Sequence, residues 1–353
     1  RAPGTAESDA FWLYSSGSTG NPKGTVHRHC TMIALGQHYA RDTLGMTEDD
    51  RCFSAPKLFF GYGLGCGFYL PAYVGAASTL FAGPPTPDDM FDCIERFRPT
   101  LFFAVPTLCA SMLHALQDEE RNMSSIRCCV SGGEPLPIDV LRRWQQKFDV
   151  NILDSIGSTE FAHIFICNRP GAPKPGSTGL TVPGYEAKVV DAEGNELPPD
   201  EAGRLLVKGP SAAARYWNNP EKTAATRSGE WLDTGDTFSR DEEGYFYFAG
   251  RSDDMLKVGG IWVSPFEIED TLIEHTKVLE AAVVGRVDDQ GMIKPEAFVV
   301  LNEPQDAGDQ TAAELTAHCK QGLAKYKYPR WINFVEDLPK TATGKIQRFM
   351  LRG

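Results

Sequence analysis

The chain has 353 residues, 42% of them hydrophobic and 23% charged, which is too long for one ordinary domain and too apolar for disorder, so two domains are expected. Its 35 Lys and Arg stand against 47 Asp and Glu, a net charge of -12; such a surface repels nucleic acid and anionic membranes, and any anionic ligand needs a local basic site. No apolar run approaches the roughly eighteen residues of a membrane span, and the nine cysteines lack CxxC or Cys/His spacing, which points to buried thiols in a reducing, cytoplasmic setting rather than zinc or disulfides.

In chain order, Ala10 to Tyr14 reads as a short strand, and Ser15-Ser16-Gly17-Ser18-Thr19-Gly20-Asn21-Pro22-Lys23-Gly24 follows it. Glycines let backbone N–H groups converge on an anion, while hydroxyls and Lys23 add donors and charge. That composition suits a phosphate loop or a flexible linker; the preceding strand and the Lys-Gly pair favour the loop, although no Gly-Lys-Ser/Thr closes it as in a Walker motif. Thr31 to Leu44 has helical spacing, so the loop is expected to lead toward a helix whose N-terminus also favours phosphate. Arg51 to Phe60 reads as a strand and its exit. The glycines of Gly61-Tyr62-Gly63-Leu64-Gly65-Cys66-Gly67 serve either close helix packing or the wall of a pocket for a flat ligand.

Ala76 to Ala82 is a strand, Pro87 to Phe97 a helix, Leu101 to Val105 a buried strand, and Pro106 to Leu116 a helix. Ile126 to Val130 is the next strand, with Cys128 and Cys129 on its two faces, and Gly132-Gly133-Glu134-Pro135 lies at its carboxyl end. A helix over Ile138 to Phe148 and a strand over Val150 to Leu153 lead into Asp154-Ser155-Ile156-Gly157-Ser158-Thr159-Glu160. This alternation predicts an α/β sheet, and in open α/β sheets ligands collect at the carboxyl ends of strands. Glu160 reads as a ligand for a hard cation shared with a nucleotide phosphate, or as a solvated loop acid. His163, alone among apolar residues, reads as a core histidine.

From Gly176 short strands and Gly/Pro turns suggest a small β subdomain. Asp236 of Trp231 to Asp236, and Arg251 of Phe248 to Gly260, either hold the two hydroxyls of a ribose or lie in solvated turns. Beyond Asp253 come a helix from Pro265 to Glu274, strands at Val278 to Arg286 and Glu296 to Leu301, a helix from Ala312 to Gln321 and a strand from Trp331 to Val335. Pro339 to Lys345 ends this unit, with Lys345 either aimed into a site or a plain surface lysine. Lys325, Lys327, Arg330, Lys340, Lys345, Arg348 and Arg352 make this end locally basic.

Five segments in this order, Tyr14 to Gly24, Gly132 to Pro135, Ser155 to Glu160, Thr234 to Asp236 with Gly250 to Gly260, and Pro339 to Lys345, resemble the adenylate-forming superfamily of acyl- and aryl-CoA synthetases. Lys57 to Gly65 together with Ser155 to Glu160 and His163-Ile164-Phe165 look most like its benzoate–CoA ligases. The resemblance implies part of a large adenylation domain over residues 1–252, with the α/β sheet to about 175 and the β subdomain over about 176–252. A small α+β lid domain over 253–353 would turn on a hinge at Asp253.

By position it implies that Ser15, Ser16, Gly17, Ser18, Thr19, Gly20 and Lys23 hold the β- and γ-phosphates of ATP. Gly132, Gly133, Glu134 and Pro135 would border the adenine, and Asp154, Ser155 and Ile156 would join the nucleotide site. Thr159 would contact the α-phosphate, Glu160 the Mg²⁺, and Asp236 with Arg251 the ribose. Lys345 matches the lysine of the adenylation step, and Lys257, Gly259 and Gly260 the segment beside a CoA channel. Tyr62, Gly61, Gly63, His163 and Ile164 would border an aromatic carboxylic acid.

The implied activity is ATP-dependent formation of an acyl-adenylate, then of an acyl-CoA, because a carboxylate repels a thiol until adenylation gives it a leaving group. Loading of a carrier protein, or nucleotide binding without catalysis, are the rival expectations, and a homodimer is compatible with all three. Two departures stand out. Gly61 replaces an alanine common in benzoate ligases, which is expected to widen the pocket toward hydroxy- or aminobenzoates. A subdomain that family members carry upstream of the phosphate loop is absent, which suggests a missing segment or a second chain.

Overall fold

The computed structural model describes residues 4–16, 22–116, 120–252, 254–258, 261–340 and 346–352, with the backbone alone at 15, 16 and 262. The chain divides into two compact units. Arg1–Leu136, Val140–Thr234 and Ser239–Phe248 form the first, and Pro137–Asp139, Gly235–Phe238 and Ala249–Gly353 the second.

The first unit starts with the antiparallel hairpin β1 (Asp9–Ser16) and β2 (Pro22–Arg28), whose register pairs Ser15 with Lys23. From Pro22 the chain therefore runs as a strand, and the expected helix comes only after it, as α1 (His29–Leu35) running on through a wider turn at Gly36–Arg41. Then come β3 (Arg51–Ser54), α2 (Gly61–Leu64), α3 (Leu70–Val74) and β4 (Ala77–Leu80). The next pair is α4 (Pro87–Phe97) and β5 (Leu101–Ala104), followed by α5 (Pro106–Ala115) and β6 (Cys128–Ser131).

After α6 (Ile138–Phe148), β7 (Ile152–Gly157) continues through Asp154, Ser155 and Ile156, which are strand rather than loop. With β8 (Ile164–Cys167) and β9 (Leu180–Thr181) it completes a seven-stranded sheet of order β4-β3-β5-β6-β7-β8-β9. The first five strands are parallel and the last two antiparallel.

Alternation along these strands builds the core. Phe53, Phe102, Cys129 and Ile152 pack against Phe91 and Ile94 of α4, Leu108 and Met112 of α5 and Trp144 of α6, and buried Cys128 lies outside that cluster. Helix α4 starts where Thr86 accepts the Asp89 N–H beside Pro87 and stops at Arg98 in a left-handed conformation, just before Pro99.

A second sheet follows, with β10 (Glu186–Val190) and β11 (Gly203–Lys208) antiparallel. The two-residue β12 (Arg215–Tyr216) instead joins the outer side of β2. After α7 (Pro220–Thr226), β13 (Arg227–Ser228) pairs with β14 (Trp231–Arg240), and β15 (Phe246–Arg251) also pairs with β14. Asp236 and Arg251 thus stand on paired strands and not in turns.

In the second unit, the short hairpin β16 (Leu256–Val258) and β17 (Ile261–Val263) precedes α8 (Pro265–Ile273). Strands β18 (Val278–Val287) and β19 (Ile293–Leu301) are antiparallel, and after α9 (Asp309–Gly322) the strand β20 (Trp331–Phe334) lies parallel to β19. Ile268, Leu272, Val283, Val299 and Leu315 form the core of this unit.

Candidate active site

The first unit brings Thr159 and Glu160 onto one helical turn, Thr159–Phe161, directly after β7. On β2, residues 25 and 27 share a face, and β12 sets Tyr216 opposite Thr25. That shared face grips the turn. The His27 Nε2 lies 2.8 Å from the Thr159 carbonyl, so the ring donates there, while Thr25 Oγ1 donates to the Leu13 carbonyl at 2.8 Å and lies 3.4 Å from the Thr159 oxygen. The Tyr216 hydroxyl donates to Glu160 Oε1 at 2.7 Å. Burial pushes the His27 pKa down to about 4, so the ring is a neutral donor; desolvation, and next the Glu160 charge, push the Tyr216 phenol up. Lys23 lies two residues before Thr25, on the same face of β2 and half-buried.

Among the described residues no three His, Cys, Asp or Glu form a metal-binding cluster. A single half-exposed carboxylate fits a Mg²⁺ whose other ligands are nucleotide phosphates and water, which is how this cation usually binds.

Around β6 and β7, Gly133 adopts φ 92, and Glu134 turns away to α5, where its Oε2 accepts the Thr107 hydroxyl at 2.7 Å and the Thr107 N–H at 3.4 Å. That contact satisfies a donor at a helix N-terminus. Ser155 Oγ donates to the Ser131 carbonyl at 2.6 Å, fastening β7 to the end of β6, and Ile156 is half-buried. Asp154 keeps part of its surface in solvent while its carboxyl is enclosed, and that enclosure pushes it up to about 8.

An aromatic wall stands beside this strand end. The Tyr62 hydroxyl donates to the Val130 carbonyl at 3.0 Å, and the ring lies 5.4 Å from that of His163, which Tyr39 flanks at 5.1 Å and Tyr69 at 6.2 Å. His163 is 3% exposed; its Nε2 sits 3.2 Å from the Tyr62 carbonyl, and burial pushes its pKa down to about 3. It is a neutral ring in an aromatic cluster. Ile164 is buried in β8.

The glycines here serve close packing. A methyl group at Gly63 would lie 2.2 Å from the Lys57 carbonyl oxygen, and one at Gly65 2.2 Å from the His163 ring. At Gly61 it would meet the Ala162 carbonyl at 3.1 Å and Leu13 Cδ1 at 3.2 Å, so the space freed by this glycine is filled by neighbours and does not widen a pocket.

In the second unit, Arg251 Nη1 donates to Asp236 Oδ1 at 2.7 Å, with the aspartate buried and the arginine half-exposed. A carboxylate with an adjacent guanidinium offers the acceptors and donors that a diol needs. Lys257 projects exposed from β16. Gly17, Ser18, Thr19, Gly20, Asp253, Gly259, Gly260 and Lys345 lie outside the described residues, as do the side chains of Ser15 and Ser16.

Sequence reasoning missed Thr25, His27, Tyr216 and Ser211. Ser211 donates to the Phe161 carbonyl at 2.8 Å and accepts the Tyr185 hydroxyl at 2.6 Å. The available signal was weak: polar residues alternating at 23, 25 and 27 after a glycine-rich segment.

Residues 1–217 match the family described as AMP-binding enzyme, and residues 267–345 the AMP-binding enzyme C-terminal domain. The chain is 54% identical to a benzoate–CoA ligase of Thauera aromatica over 352 residues, 99% of this chain and 67% of that protein. It is 46% identical to the 4-hydroxybenzoate–CoA/benzoate–CoA ligase of Rhodopseudomonas palustris, across 98% of this chain and 65% of that one. The crystal structure of the anthranilate CoA ligase AuaEII in complex with anthranoyl-AMP superposes with a TM-score of 0.94 at 47% identity, covering 98% of this chain and 67% of that chain. The chain thus spans about two thirds of the length of these relatives.

Proposed function

Because this chain belongs to the AMP-binding enzyme family, we propose that it carries the activating centre of an AMP-forming aryl-CoA ligase acting on benzoate or a hydroxy- or aminobenzoate. In the first step a carboxylate oxygen attacks the α-phosphorus of ATP and pyrophosphate leaves; in the second the CoA thiolate attacks the acyl carbon and AMP leaves. The observation that carries this reading is the 54% identity to benzoate–CoA ligase across 99% of the chain. The aromatic wall of Tyr62 and neutral His163 supports an aryl acid, since it offers ring faces and no charge.

In this reading Lys23, Thr159 and Lys345 stabilise charge on the phosphoryl oxygens, an electrostatic and positional catalysis without a covalent enzyme intermediate. Glu160 holds Mg²⁺, which when bound offsets phosphate charge. Gly132 to Pro135 border the adenine, Asp236 and Arg251 hold the ribose, and Lys257 with Gly259 and Gly260 serves the thiol step after rotation about Asp253. Nine free cysteines, most of them buried, support a reducing cytoplasmic setting.

Pyrophosphate exchange across a panel of benzoates tests the reading, run on this chain and on a protein extended to the length of its relatives. Exchange that depends on an aryl acid, followed by acyl transfer to CoA, is expected. No such exchange by the longer protein refutes the ligase, and transfer to a carrier-protein thiol but never to CoA refutes the choice of acceptor.

A further inference from the structure

The turn that carries Glu160 has little backbone freedom left. Each carbonyl from Thr159 to Ala162 accepts a donor from a distant part of the chain: His27 on Thr159 at 2.8 Å, the Ala213 N–H on Glu160 at 2.7 Å, Ser211 on Phe161 at 2.8 Å and the Tyr69 hydroxyl on Ala162 at 3.3 Å. The turn closes at Ala162 with φ 59, a left-handed conformation that a non-glycine residue keeps only when its surroundings hold it. Backbone position is therefore fixed, and the side-chain torsions of Glu160 are what remains to be set. Among the described residues, the contact that sets them is the Tyr216 hydroxyl on Oε1 at 2.7 Å.

Tyr216 is itself anchored. It lies on β12, paired with Thr25 of β2, its backbone N–H donates to Thr223 Oγ1 at 3.0 Å, and its ring is buried. A phenol in that place donates to the carboxylate, directs Oε1 toward β12 and fills one of its lone pairs, which leaves Oε2 the freer oxygen.

We propose that Tyr216 is a positioning residue that holds Glu160 Oε1 and so presents Oε2 alone to the divalent cation, making the carboxylate monodentate and favouring Mg²⁺ over larger cations. This rests on the assignment of Glu160 as the metal ligand. Mg²⁺ demands near-octahedral geometry with short bonds, which a single carboxylate oxygen suits; Ca²⁺ accepts more ligands and readily takes both oxygens of one carboxylate. With the phenol removed, both oxygens of Glu160 become available to the metal. Selectivity should then relax.

The test compares wild type, Tyr216→Phe and Glu160→Gln by water-proton relaxation enhancement of Mn²⁺·ATP on the protein, with Mg²⁺ and Ca²⁺ as competitors. Phenylalanine keeps the buried ring, so the fold is retained, and a melting curve verifies it. Tyr216→Phe is expected to weaken Mg²⁺ competition on the order of tenfold, the usual effect of one hydrogen bond to a charged group, while Ca²⁺ competes as well as before or better. In steady state the KM for Mg²⁺ rises more than kcat falls. Unchanged competition by both ions, or an equal loss for both, overturns the proposal while Glu160→Gln still abolishes metal binding. Metal binding that survives Glu160→Gln overturns the assignment of Glu160 itself.

Discussion

Glu160 on the polar turn Thr159–Phe161 and His163 in the aromatic wall lie three residues apart in the chain, yet their surroundings treat polar groups in opposite ways. On the turn, protein donors capture the backbone while Glu160 and Lys23 stay partly in solvent. At the wall, side-chain donors are turned inward: Tyr62 to Val130, Tyr69 to Ala162, and Tyr39 4.0 Å from the Cys167 sulfur. His163 is neutral, with its Nδ1 buried and without a hydrogen bond among the described residues. Phosphate recognition needs charges kept available, whereas an aromatic ring is read by shape and quadrupole in a dry setting. Ala162, in its left-handed conformation, is the pivot between the two, and under the proposed assignment one short segment serves both.

The largest expected effect tests whether phosphate charge is handled wholly apart from the wall. Lys345→Ala should slow adenylate formation by about a hundredfold or more, the usual loss for one group that stabilises transition-state charge. Thioester formation from supplied aryl-adenylate should be spared. Rapid-quench measurement of the two half-reactions decides it, and equal loss in both would show that the lysine does not act on phosphate departure alone.

A middle-sized effect sharpens the contrast through pH. His27 and His163, ordinarily near 6.5, are pushed by burial to about 4 and about 3. Between those values and 6.5 the unfolded chain binds protons that the folded chain refuses, so stability is full above pH 6.5 and is lost as pH falls toward 4. Each histidine contributes on the order of 1.4 kcal/mol per pH unit in that window. Asp154, raised to about 8, has the opposite sign: the fold holds its proton, and stability is lost as pH rises from 3.8 to 8. Urea midpoints from pH 8 to 4.5 should show the acid-side fall, reduced in His163→Asn, while Asp154→Asn should stabilise the protein near pH 7.5. An unchanged acid slope in His163→Asn would mean that this ring already titrates normally.

Much of the parallel sheet was legible because apolar runs between Pro, Gly and polar breaks mark its elements; α4 spans Pro87–Phe97 as its capping residues predict. Strand β2 was not legible. Of Pro22–Arg28 only Val26 is aliphatic; buried Thr25 is satisfied by the Leu13 carbonyl of β1 and buried His27 by a turn more than 130 residues away, which hydrophobic periodicity does not encode. The same holds for β14, where Asp, Thr and Gly suggest a turn but Asp236 is matched by Arg251 on the paired strand. Tyr216 was invisible for a related reason, since a two-residue strand has no period and its partner Glu160 is remote in sequence. The family resemblance supplied what local pattern did not: it placed Thr159, Glu160, Asp236 and Arg251 in one reaction although each alone reads as an ordinary polar residue.

The smallest effect concerns Gly61, where the wall meets the pivot. A methyl group there would press on the Ala162 carbonyl at 3.1 Å and Leu13 Cδ1 at 3.2 Å, tight but short of an outright clash. The Leu13 terminus can give by a few tenths of an ångström, whereas the Ala162 carbonyl already accepts the Tyr69 hydroxyl. Gly61→Ala should therefore cost about 1 kcal/mol of stability or less, while the better helix propensity of alanine offsets part of the strain. Its effect on substrate choice should come through displacement of Ala162 and the adjacent His163 ring, since Ala162 and Leu13 already crowd the place of the methyl. Turnover of benzoate, 2-aminobenzoate and 4-hydroxybenzoate by the two proteins separates the alternatives: a parallel drop of up to a fewfold for all three acids fits displacement of the wall. Selective loss of the substituted acids with benzoate unchanged would instead restore Gly61 as the residue that makes room on the ring.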